Sequence, residues 1–555
     1  MTSCTAKIGN AFESKGKLVI APLIGLASAL VRENRGDDAL MLLSEVSALA
    51  PERLDFREAL VELRIWRKEV VEGLEALRAL IGAGSPRAYA VERFTPLLTQ
   101  ARFDCQAGYD RKDAGEAERY LVPLAEILPD DLDILSMALA CSRHLGTDER
   151  TEMLMRRILD IDPAHGMARL AMIEHLNRLG DHQAEAEGRH ALMLADPPAI
   201  PKLNRIWNAY EFINLAICDP LTEVSMTRIE QAKQVLHRIP YDPAAETGEE
   251  SWARFCRVMA GSIDFSALRR PPEPLRPPAG LARSDGTPMS WADLKALAAR
   301  TAAETIFLAA GDEVYAADYA GLYARSILRN AGLPALVIVH VAGGRDRLAV
   351  LAQRIGINDE RLVLSADDFD PASVVGRVLD APSQPRIDRP IAHYQAARFH
   401  QAPRILSELG LPLIVTDIDC LLERDVRDLM TLGADRDILL NENEVIRQLG
   451  ARITANLLLL FPTPDALAFA GFVSSYLEEM LRQPVIVKFI DQIALLMGRH
   501  YMAANHPGAR IGTFDVATDI NNCILPAYHS AHPFRFLSLG RDFAMDSLPE
   551  RHRGD

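Results

Sequence analysis

The chain has 555 residues, a length that is too great for one hydrophobic core and that predicts two to four domains. Hydrophobic residues make up 49% of the sequence and charged residues 25%, a balance typical of globular rather than disordered proteins. The formal net charge of −15, together with the lack of a dense basic cluster in the sequence, argues against a nucleic-acid-binding protein.

The cysteines of the sequence are odd in number and scattered, and no two of them have a Cys-x-x-Cys spacing. This usage is typical of a reducing compartment and does not fit a zinc ribbon. We therefore expect a cytoplasmic protein, with a peripheral place at the inner face of a membrane as the alternative. The seven positions are Cys4, Cys105, Cys141, Cys218, Cys256, Cys420 and Cys523.

An apolar stretch near the N-terminus, residues 18–31, follows Lys15 and Lys17 and has some features of a signal peptide. Pro22 interrupts it, however, and it leads directly into a helical pattern, so we interpret it as the first helix of the mature domain. No other apolar run approaches the ~18 residues that a membrane-spanning helix needs. The sequence therefore predicts no transmembrane segment.

The N-terminal half is rich in Ala and Leu, reads as successive helices and contains a repeat of 34 residues. The repeat is marked by residues that recur at this interval: Pro129, Pro163 and Pro197, and Gly146 and Gly180. The unit of helix, Gly-containing turn, helix and Pro-marked turn resembles a degenerate tetratricopeptide repeat. The resemblance implies a superhelix whose concave surface docks a protein or peptide, or else a structural spacer or self-association arm.

A dense proline cluster separates the two halves of the sequence and cannot form a helix or a central strand. Its members lie within eight residues: Pro271, Pro272, Pro274, Pro277 and Pro278. Such a segment reads as a stiff extended linker. We predict a helical repeat domain at residues 1–265, a linker at 266–300 and a second domain at 301–555.

The C-terminal half alternates between strand and helix patterns. Apolar or β-branched runs at 305–309, 335–341 and 361–364 predict strands, and 316–330, 345–355, 371–379 and 393–409 predict helices. This rhythm is typical of an α/β domain with a mostly parallel, Rossmann-like sheet. In such sheets ligands bind beyond the carboxyl ends of the strands.

One strand pattern ends in two carboxylates. Residues 411–416 are mainly apolar and are followed by Asp417, Ile418 and Asp419. Because side chains alternate along a strand, both carboxylates leave on one side and Ile418 points into the core. Two hard oxygen ligands in this place suit Mg²⁺ or Mn²⁺. The alternative is an ordinary turn after a strand.

Three more side chains are candidates for binding, two of them just after a strand pattern and one on a helix. Asp312 and Tyr315 follow the strand pattern at 305–309, where they suit a ribose hydroxyl and the face of a base, or else form a helix cap and a packed ring. Arg398 lies on the helix before the carboxylate pair, where a guanidinium could bind a diphosphate, or else lie in solvent.

Two later segments carry further candidates. Asp491 and Gln492 open a helix pattern after an apolar stretch, where Asp491 is either a cap or a group that contacts sugar hydroxyls. His529, His532 and Arg535 are spaced three residues apart. A histidine of this set could complete a metal site with the two earlier carboxylates, although such pairs are commonly surface residues.

In this order the elements resemble the catalytic domain of a GT-A glycosyltransferase, in particular the glycogenin- and lipopolysaccharide-galactosyltransferase-like group. The resemblance covers about residues 303–540. It rests on an Asp-x-x-Tyr after the first strand, an Arg-bearing helix, an Asp-x-Asp, a strand containing Asn456, an Asp-Gln and a C-terminal His-x-x-x-x-x-Arg. The group's typical C-terminal motif is His-x-x-Gly-x-x-Lys, so Arg535 here replaces a lysine and His532 a glycine.

The resemblance implies transfer of a hexose from a nucleotide-diphosphate sugar, foremost a UDP-sugar, to a hydroxyl of a glycan or protein, with retention of configuration. It assigns Mn²⁺ or Mg²⁺ to Asp417, Asp419 and His529. It assigns catalytic contacts to Asp491 and Gln492. The nucleotide sugar would be bound by Asp312, Tyr315, Arg398, Asp417, Asn456 and Arg535.

Two other functions fit the same residues. The first is a repeat-based scaffold protein that carries an inactive transferase-like domain. The second is a nucleotidyl- or phosphotransferase on a similar sheet, which would leave a nucleotide or phosphate on the acceptor instead of a sugar. The intact carboxylate pair favours an active transferase.

Overall fold

The structure is a computed structural model that describes residues 20–195, 200–240, 248–272, 279–380, 390–515, 519–521 and 535–538. The chain divides into two compact units. The first comprises Met1–Gly188 and Leu194–Ile200, and the second comprises Arg189–Met193 and Pro201–Asp555. The division therefore lies near residue 200 in the sequence, whereas the proline cluster lies at 271–278.

The described residues of the first unit form consecutive helices. Their bounds are α1 Ile20–Arg32, α2 Gly36–Leu49, α3 Leu54–Trp66, α4 Val70–Gly82, α5 Arg87–Arg93, α6 Thr95–Asp110, α7 Ala114–Ile127, α8 Leu132–Leu145, α9 Asp148–Ile161, α10 Gly166–Leu179 and α11 His182–Met193. From α1 to α10 each helix contacts the next one. Stacking in chain order lets each pair bury an apolar face that it could not bury alone. This confirms the predicted N-terminal helical repeat region.

The residues that mark the 34-residue period occupy the turns. Gly146 and Gly180 follow α8 and α10 in the left-handed conformation, with φ of +72° and +74°, which a glycine adopts without steric cost. Pro129 and Pro163 lie in the turns after α7 and α9, where no helical amide is required. Pro197 lies outside the described residues.

The second unit contains three helices and then an α/β sheet. Its helices are α12 Lys202–Cys218, α13 Glu223–Arg238, α14 Gly248–Gly261, α15 Trp291–Arg300, α16 Glu313–Asn330, α17 Leu348–Ile355, α18 Pro390–Leu409, α19 Arg427–Thr431, α20 Pro464–Leu481 and α21 Ile490–Asn505. No helix in the described parts of the chain is long and apolar enough to cross a membrane. The helical region and the α/β region thus follow one another in the predicted order.

The strands of this unit build one large sheet and two small ones. Their bounds are β1 Gly280–Arg283, β2 Pro288–Met289, β3 Thr305–Gly311, β4 Ala335–Val341, β5 Leu362–Ala366, β6 Arg377–Leu379, β7 Leu413–Thr416, β8 Cys420–Leu422, β9 Ile438–Glu442, β10 Ile453–Leu460, β11 Val485–Val487, β12 Ile511–Thr513, β13 Ile520–Asn521 and β14 Phe536–Ser538. Residues 280–300, within the range assigned to the linker, therefore form β1, β2 and α15.

The large sheet has the strand order β12-β9-β10-β7-β3-β4-β5-β1-β2. Its centre, β7-β3-β4-β5, is parallel. Towards the edges, β10 pairs antiparallel with β7 and β9, and β1 pairs antiparallel with β5 and β2. At the outer end on the β9 side, β12 pairs parallel with β9. The sheet is therefore mixed, and the predicted parallel arrangement holds at its centre but not for the pairs of β10 and β1. The sequence pattern of a buried strand does not distinguish the two directions.

The parallel centre of the sheet places several candidate residues at one edge. The carboxyl ends of β3, β4 and β7 meet there, because parallel neighbours run in register. Asp312 follows β3, and Asp417 follows β7 directly. Helix α18 packs against β3, β4 and β7 and brings Arg398 to the same edge.

A large bulge in β10 alters the backbone at this edge. Ile453 pairs with Glu442 and Leu458 pairs with Leu440, so a step of five residues on β10 matches a step of two on β9. The extra residues leave the ladder, which frees backbone groups for other partners. The carbonyl of Ala455 uses this freedom to accept a hydrogen bond from the Arg398 guanidinium, with an N–O distance of 3.0 Å.

Helix α12 also packs within the second unit, against the segments beside this edge. The side-chain oxygen of Asn214 accepts a hydrogen bond from the amide of Leu449, 3.0 Å away, in the connection between β9 and β10. His500 Nε2, on α21, lies 2.8 Å from the carbonyl oxygen of Ile217. Burial lowers the pKa of His500 to about 4, so this ring is neutral at pH 7 and donates to the carbonyl. These contacts hold the β9–β10 connection, which precedes the bulge, and helix α21, which packs against β10.

Candidate active site

A cavity of about 310 Å³ opens at the carboxyl edge of β3 and β7. It is formed by the ends of the two strands, by the first turn of α16, by one face of α18 and by the residue after β11. The face of α18 that it uses presents residues at helical spacing, Ile391, Tyr394, Gln395 and Arg398. The polar side chains from the other elements are Asp312, Tyr315, Asp417, Asp419 and Lys488.

The carboxylate pair lies in the turn between β7 and β8. Asp417 and Asp419 both line the cavity, and the intervening Ile418 is buried, with 1% of its surface exposed. The amide of Cys420 donates to the carbonyl oxygen of Asp417, 3.1 Å away. Both carboxylates therefore lie in a tight turn after β7, which ends at Thr416, and the predicted alternation along a strand does not extend to them. The turn nevertheless carries both of them to one cavity.

Tyr315 connects the first strand to this pair. Its hydroxyl donates to Asp419 Oδ2 at 2.8 Å, and its ring lies 4.5 Å from the ring of Tyr319, centroid to centroid. Its backbone amide donates to Asp312 Oδ1 at 2.7 Å, so Asp312 caps the N-terminus of α16. Burial and the charge of Asp419 raise the pKa of Tyr315, which keeps the hydroxyl protonated and donating. Both residues therefore have structural contacts in addition to their place in the cavity wall.

Arg398 is buried and paired, with 3% of its surface exposed. One terminal nitrogen lies 2.8 Å from Asp417 Oδ1. The other lies 3.4 Å from Asp491 Oδ2 and also donates to the carbonyl of Ala455. The alternative of an Arg398 side chain in solvent is therefore wrong. The guanidinium joins the carboxylate turn, the bulge of β10 and the start of α21 in one network.

Two carboxyl groups around this guanidinium bind protons more tightly than usual. Burial, with the neighbouring charge of Asp417, raises the pKa of Asp419. Burial also raises the pKa of Asp491 to about 6, with Asp417 acting in the same direction and Arg398 opposing it. The guanidinium pairs with Asp417 and Asp491, whereas Asp419 is held by the uncharged hydroxyl of Tyr315, so one arginine faces three carboxyl groups at this edge. A further cation in the cavity would be favoured electrostatically.

The titration of Asp491 makes stability depend on pH. The pKa rises from its usual 3.8 to about 6 on folding, so Asp491 favours folding fully below pH 3.8 and this contribution is lost as pH rises through 6. We expect Asp491→Asn to abolish this pH-dependent loss of stability. The free energy of unfolding of the variant minus that of the unmodified protein should therefore increase by up to about 3 kcal/mol between pH 4 and pH 7. Urea unfolding at several pH values measures this.

The exposed Asp318, on α16, offers a matched control for that experiment. Asp318→Asn removes a carboxylate from the same unit without affecting a buried pair, so its effect on unfolding should stay constant over this pH range. If the free energy of unfolding of Asp491→Asn differs from that of the unmodified protein by an amount that does not change with pH, a raised pKa for Asp491 is contradicted.

The remaining candidates lie at different distances from the cavity. Asn456, on β10, is buried, and its side-chain oxygen accepts from Asn441 at 2.8 Å. Asp491 and Gln492 lie behind Arg398 and do not line the cavity wall. Arg535 is held elsewhere, 2.9 Å from Asp519 Oδ1 and 2.7 Å from Asp428 Oδ2. His529 and His532 lie outside the described residues.

Three polar side chains that line the cavity were not predicted as site residues from the sequence: Lys488, Tyr394 and Gln395. The two on α18 share its face with Arg398, so their helical spacing from that residue was a usable signal. Lys488 had a weaker one, a cation directly after the β-branched run of β11. Its place depends on the pairing of β11 with β6, which is a contact between distant parts of the sequence.

A divalent cation such as Mg²⁺ or Mn²⁺ needs oxygen ligands, and the cavity offers two carboxylates. Asp417 and Asp419 supply carboxylate oxygens, and the contacts with Arg398 and Tyr315 each use one oxygen of a carboxylate. Within the described residues, no group of three or more His, Cys, Asp or Glu side chains is arranged to hold a metal ion. Mg²⁺ commonly binds to one or two carboxylates together with water and substrate phosphates. The two carboxylates and their uncompensated charge fit an ion of that kind.

No family model matches the chain, and no curated protein matches it. Similar solved structures include YrrB, a tetratricopeptide-repeat protein with an unusual peptide-binding site (13% identity, TM-score 0.16, 42% of this chain and 93% of that chain). Mouse xyloside xylosyltransferase 1 has 11% identity and a TM-score of 0.26, over 42% of this chain and 97% of that chain. A mutant O-GlcNAc transferase of Thermobaculum terrenum has 12% identity and a TM-score of 0.20, over 56% and 46%. Tetratricopeptide-repeat proteins and glycosyltransferases are thus both among the structures to which parts of this chain are similar.

Proposed function

We propose that this protein is a metal-dependent glycosyltransferase with a GT-A domain. It transfers a hexose from a nucleotide-diphosphate sugar, foremost a UDP-sugar, to a hydroxyl group of a glycan or protein, with retention of configuration. The observation that carries the proposal is the carboxylate pair at the carboxyl edge of β7. It faces a cavity of about 310 Å³ together with cationic and aromatic side chains.

Asp417 and Asp419 are the residues that would hold Mn²⁺ or Mg²⁺, with His529 as a third ligand by resemblance to the family. When bound, the ion supplies positive charge that holds the diphosphate and neutralises it as it leaves. Tyr315 fixes the orientation of Asp419 through its hydroxyl, and Arg398 does the same for Asp417. The chain thus presets the two carboxylates before the ligand arrives, which reduces reorganisation during the reaction.

Further residues in and around the cavity would contact the nucleotide and the sugar. Asp312 and Tyr315 line the cavity beside the carboxylate pair, where ribose and base would lie. By resemblance to the family, Asp491, Gln492 and Asn456 would contact the sugar, although none of them lines the cavity wall. The bond from the anomeric carbon to the diphosphate breaks, a bond to the acceptor oxygen forms, and the hydroxyl proton passes to the leaving diphosphate.

The helical repeats would recruit a protein partner, a protein acceptor or a second copy of the chain. Several of the helices α1–α10 expose large apolar side chains, which are available for contact with another protein. They include Leu49, Trp66, Phe103, Met153 and Leu179, each at least 56% exposed. Light scattering on the full chain would separate self-association from recruitment of another protein.

A scaffold protein with an inactive transferase-like domain is the second candidate. The observation in its favour is the 2.8 Å ion pair between Arg398 and Asp417, which uses an oxygen that an active site would offer to an ion. Incubation with UDP-glucose, UDP-galactose, UDP-N-acetylglucosamine and GDP-mannose, with Mn²⁺ and simple sugar acceptors, distinguishes the two. The transferase releases nucleotide from at least one donor and stops when EDTA is added. Release from none of them, with or without acceptor, favours the scaffold.

A further inference from the structure

The cavity contains a cation that the sequence did not single out. Lys488 follows β11, and its backbone amide donates to the carbonyl of Leu379 at 2.9 Å, which fixes the start of its side chain. The side chain lines the same cavity as Asp417, Asp419 and Arg398. It is therefore placed to act on a ligand that the carboxylate turn binds.

The two arginines that the sequence predicted for a diphosphate are already engaged. Both terminal nitrogens of Arg398 contact protein oxygens, on Asp417 and on Asp491 and Ala455, and only 3% of its surface is exposed. Arg535 is paired with Asp428 and Asp519 and does not line the cavity. Moving Arg398 to a ligand would leave the buried Asp491 without this partner, and moving Arg535 would do the same to the buried Asp519, which is strongly unfavourable.

Lys488 has fewer contacts with protein oxygens. Its ammonium lies 3.0 Å from Asp380 Oδ2 and 5.8 Å from the centroid of the Phe489 ring, and 31% of the lysine side chain is exposed. Among the described residues one carboxylate holds this ammonium, whereas Asp417, Asp491 and Ala455 all hold the Arg398 guanidinium. A lysine also carries its charge on a flexible four-carbon stem and can turn toward a new partner. The pair with Asp380 therefore positions the ammonium beside the cavity but does not prevent it from moving to a ligand.

We propose that Lys488 is the catalytic residue that neutralises the leaving diphosphate, and that Arg398 is a positioning residue for Asp417. This inference rests on the proposed function and assigns the leaving-group contact within it. In the reaction the ammonium moves from Asp380 to a diphosphate oxygen and donates a hydrogen bond. It thereby stabilises negative charge that develops as the bond to the sugar breaks.

The test uses the full chain and isothermal titration with UDP in the presence of Mn²⁺. Lys488→Gln should weaken UDP binding by about 10-fold or more, the loss of one charge-assisted hydrogen bond to phosphate. Lys488→Arg keeps the charge and should recover part of the affinity. Asp380→Asn should leave UDP affinity unchanged or raise it, because it releases the lysine. All three variants should be folded at the temperature of the titration, which a thermal melt of each variant checks.

The outcomes separate this inference from the function on which it rests. If the unmodified protein binds UDP and Lys488→Gln binds it equally well, the assignment of Lys488 is overturned and the transferase proposal stands. If the unmodified protein binds neither UDP nor GDP in the presence of Mn²⁺, the transferase proposal itself fails. With an active donor, Lys488→Gln should lower kcat by a larger factor than it raises KM, because leaving-group charge develops in the transition state. An increase in KM alone would assign Lys488 to ground-state binding and overturn its catalytic role.

Discussion

Replacing Asp417 with asparagine is expected to reduce nucleotide release from the active donor by about 10²–10³-fold, the scale of losing one preset electrostatic group. The change keeps the size of the side chain but removes the charge that faces the cavity beside Arg398. Asp419→Asn should have an effect of the same order, because both carboxylates would hold the same ion. Steady-state release of nucleotide, with Mn²⁺ saturating, measures both variants.

Asp425→Asn is the matched control for the carboxylate variants. Asp425 lies only a few residues beyond the turn, but its side chain pairs with Arg427, and it is not part of the cavity wall. This variant should retain full activity. If Asp417→Asn and Asp419→Asn also retain it, the carboxylate pair has no role in turnover and the second candidate function gains support.

Replacing Arg398 with methionine should destabilise the second unit by about 3–5 kcal/mol, the cost of removing one partner from a buried ion pair. Methionine fills a similar volume, so the effect reports the uncompensated charges of Asp417 and Asp491 rather than a cavity. The free energy of unfolding in urea, followed by fluorescence of the tryptophans, measures it. The loss should be smaller at pH 5 than at pH 8, because the raised pKa of Asp491 lets that carboxyl become neutral.

Two further variants make the Arg398 experiment decisive. Arg404, on the same helix, pairs with Glu408, which also pairs with Lys295, so Arg404→Met leaves Glu408 with a partner and should cost clearly less than Arg398→Met. Adding Asp491→Asn to Arg398→Met should recover part of the lost stability, since it removes one of the two unpaired charges. Equal losses for Arg398→Met and Arg404→Met, with no recovery in the double variant, would contradict the buried network.

The strands at the sheet centre were predictable because their signal is local. The β-branched run at 335–341 coincides with β4, and the run at 305–309 lies within β3. The segment 371–379, predicted as a helix, instead forms a short 3₁₀ turn followed by β6. Its strand depends on pairing with β11, more than 100 residues away in sequence. A short segment takes its conformation from such contacts rather than from its own pattern.

The candidate site likewise has residues whose positions could be predicted from the sequence and residues whose positions could not. The position of the two carboxylates could be predicted, because an apolar strand pattern followed by Asp417 and Asp419 places them at the carboxyl end of a strand, where ligands bind in such sheets. The burial of Arg398 could not, since it needs the bulge of β10 to present the carbonyl of Ala455 and the start of α21 to present Asp491. The engagement of Arg535 with Asp428 and Asp519 likewise joins three distant segments.

The most direct test of the central claim is the thermal stability of the full chain with UDP, Mn²⁺ or both. A ligand present at 100 times its Kd adds about 2.7 kcal/mol to the stability of the folded state. We predict a clear rise in Tm with UDP and Mn²⁺ together, a much smaller rise with UDP and EDTA, and no joint effect in the Asp417→Asn, Asp419→Asn double variant. An unchanged Tm in the unmodified protein, or an equal rise in the double variant, would contradict a metal–diphosphate site at this turn.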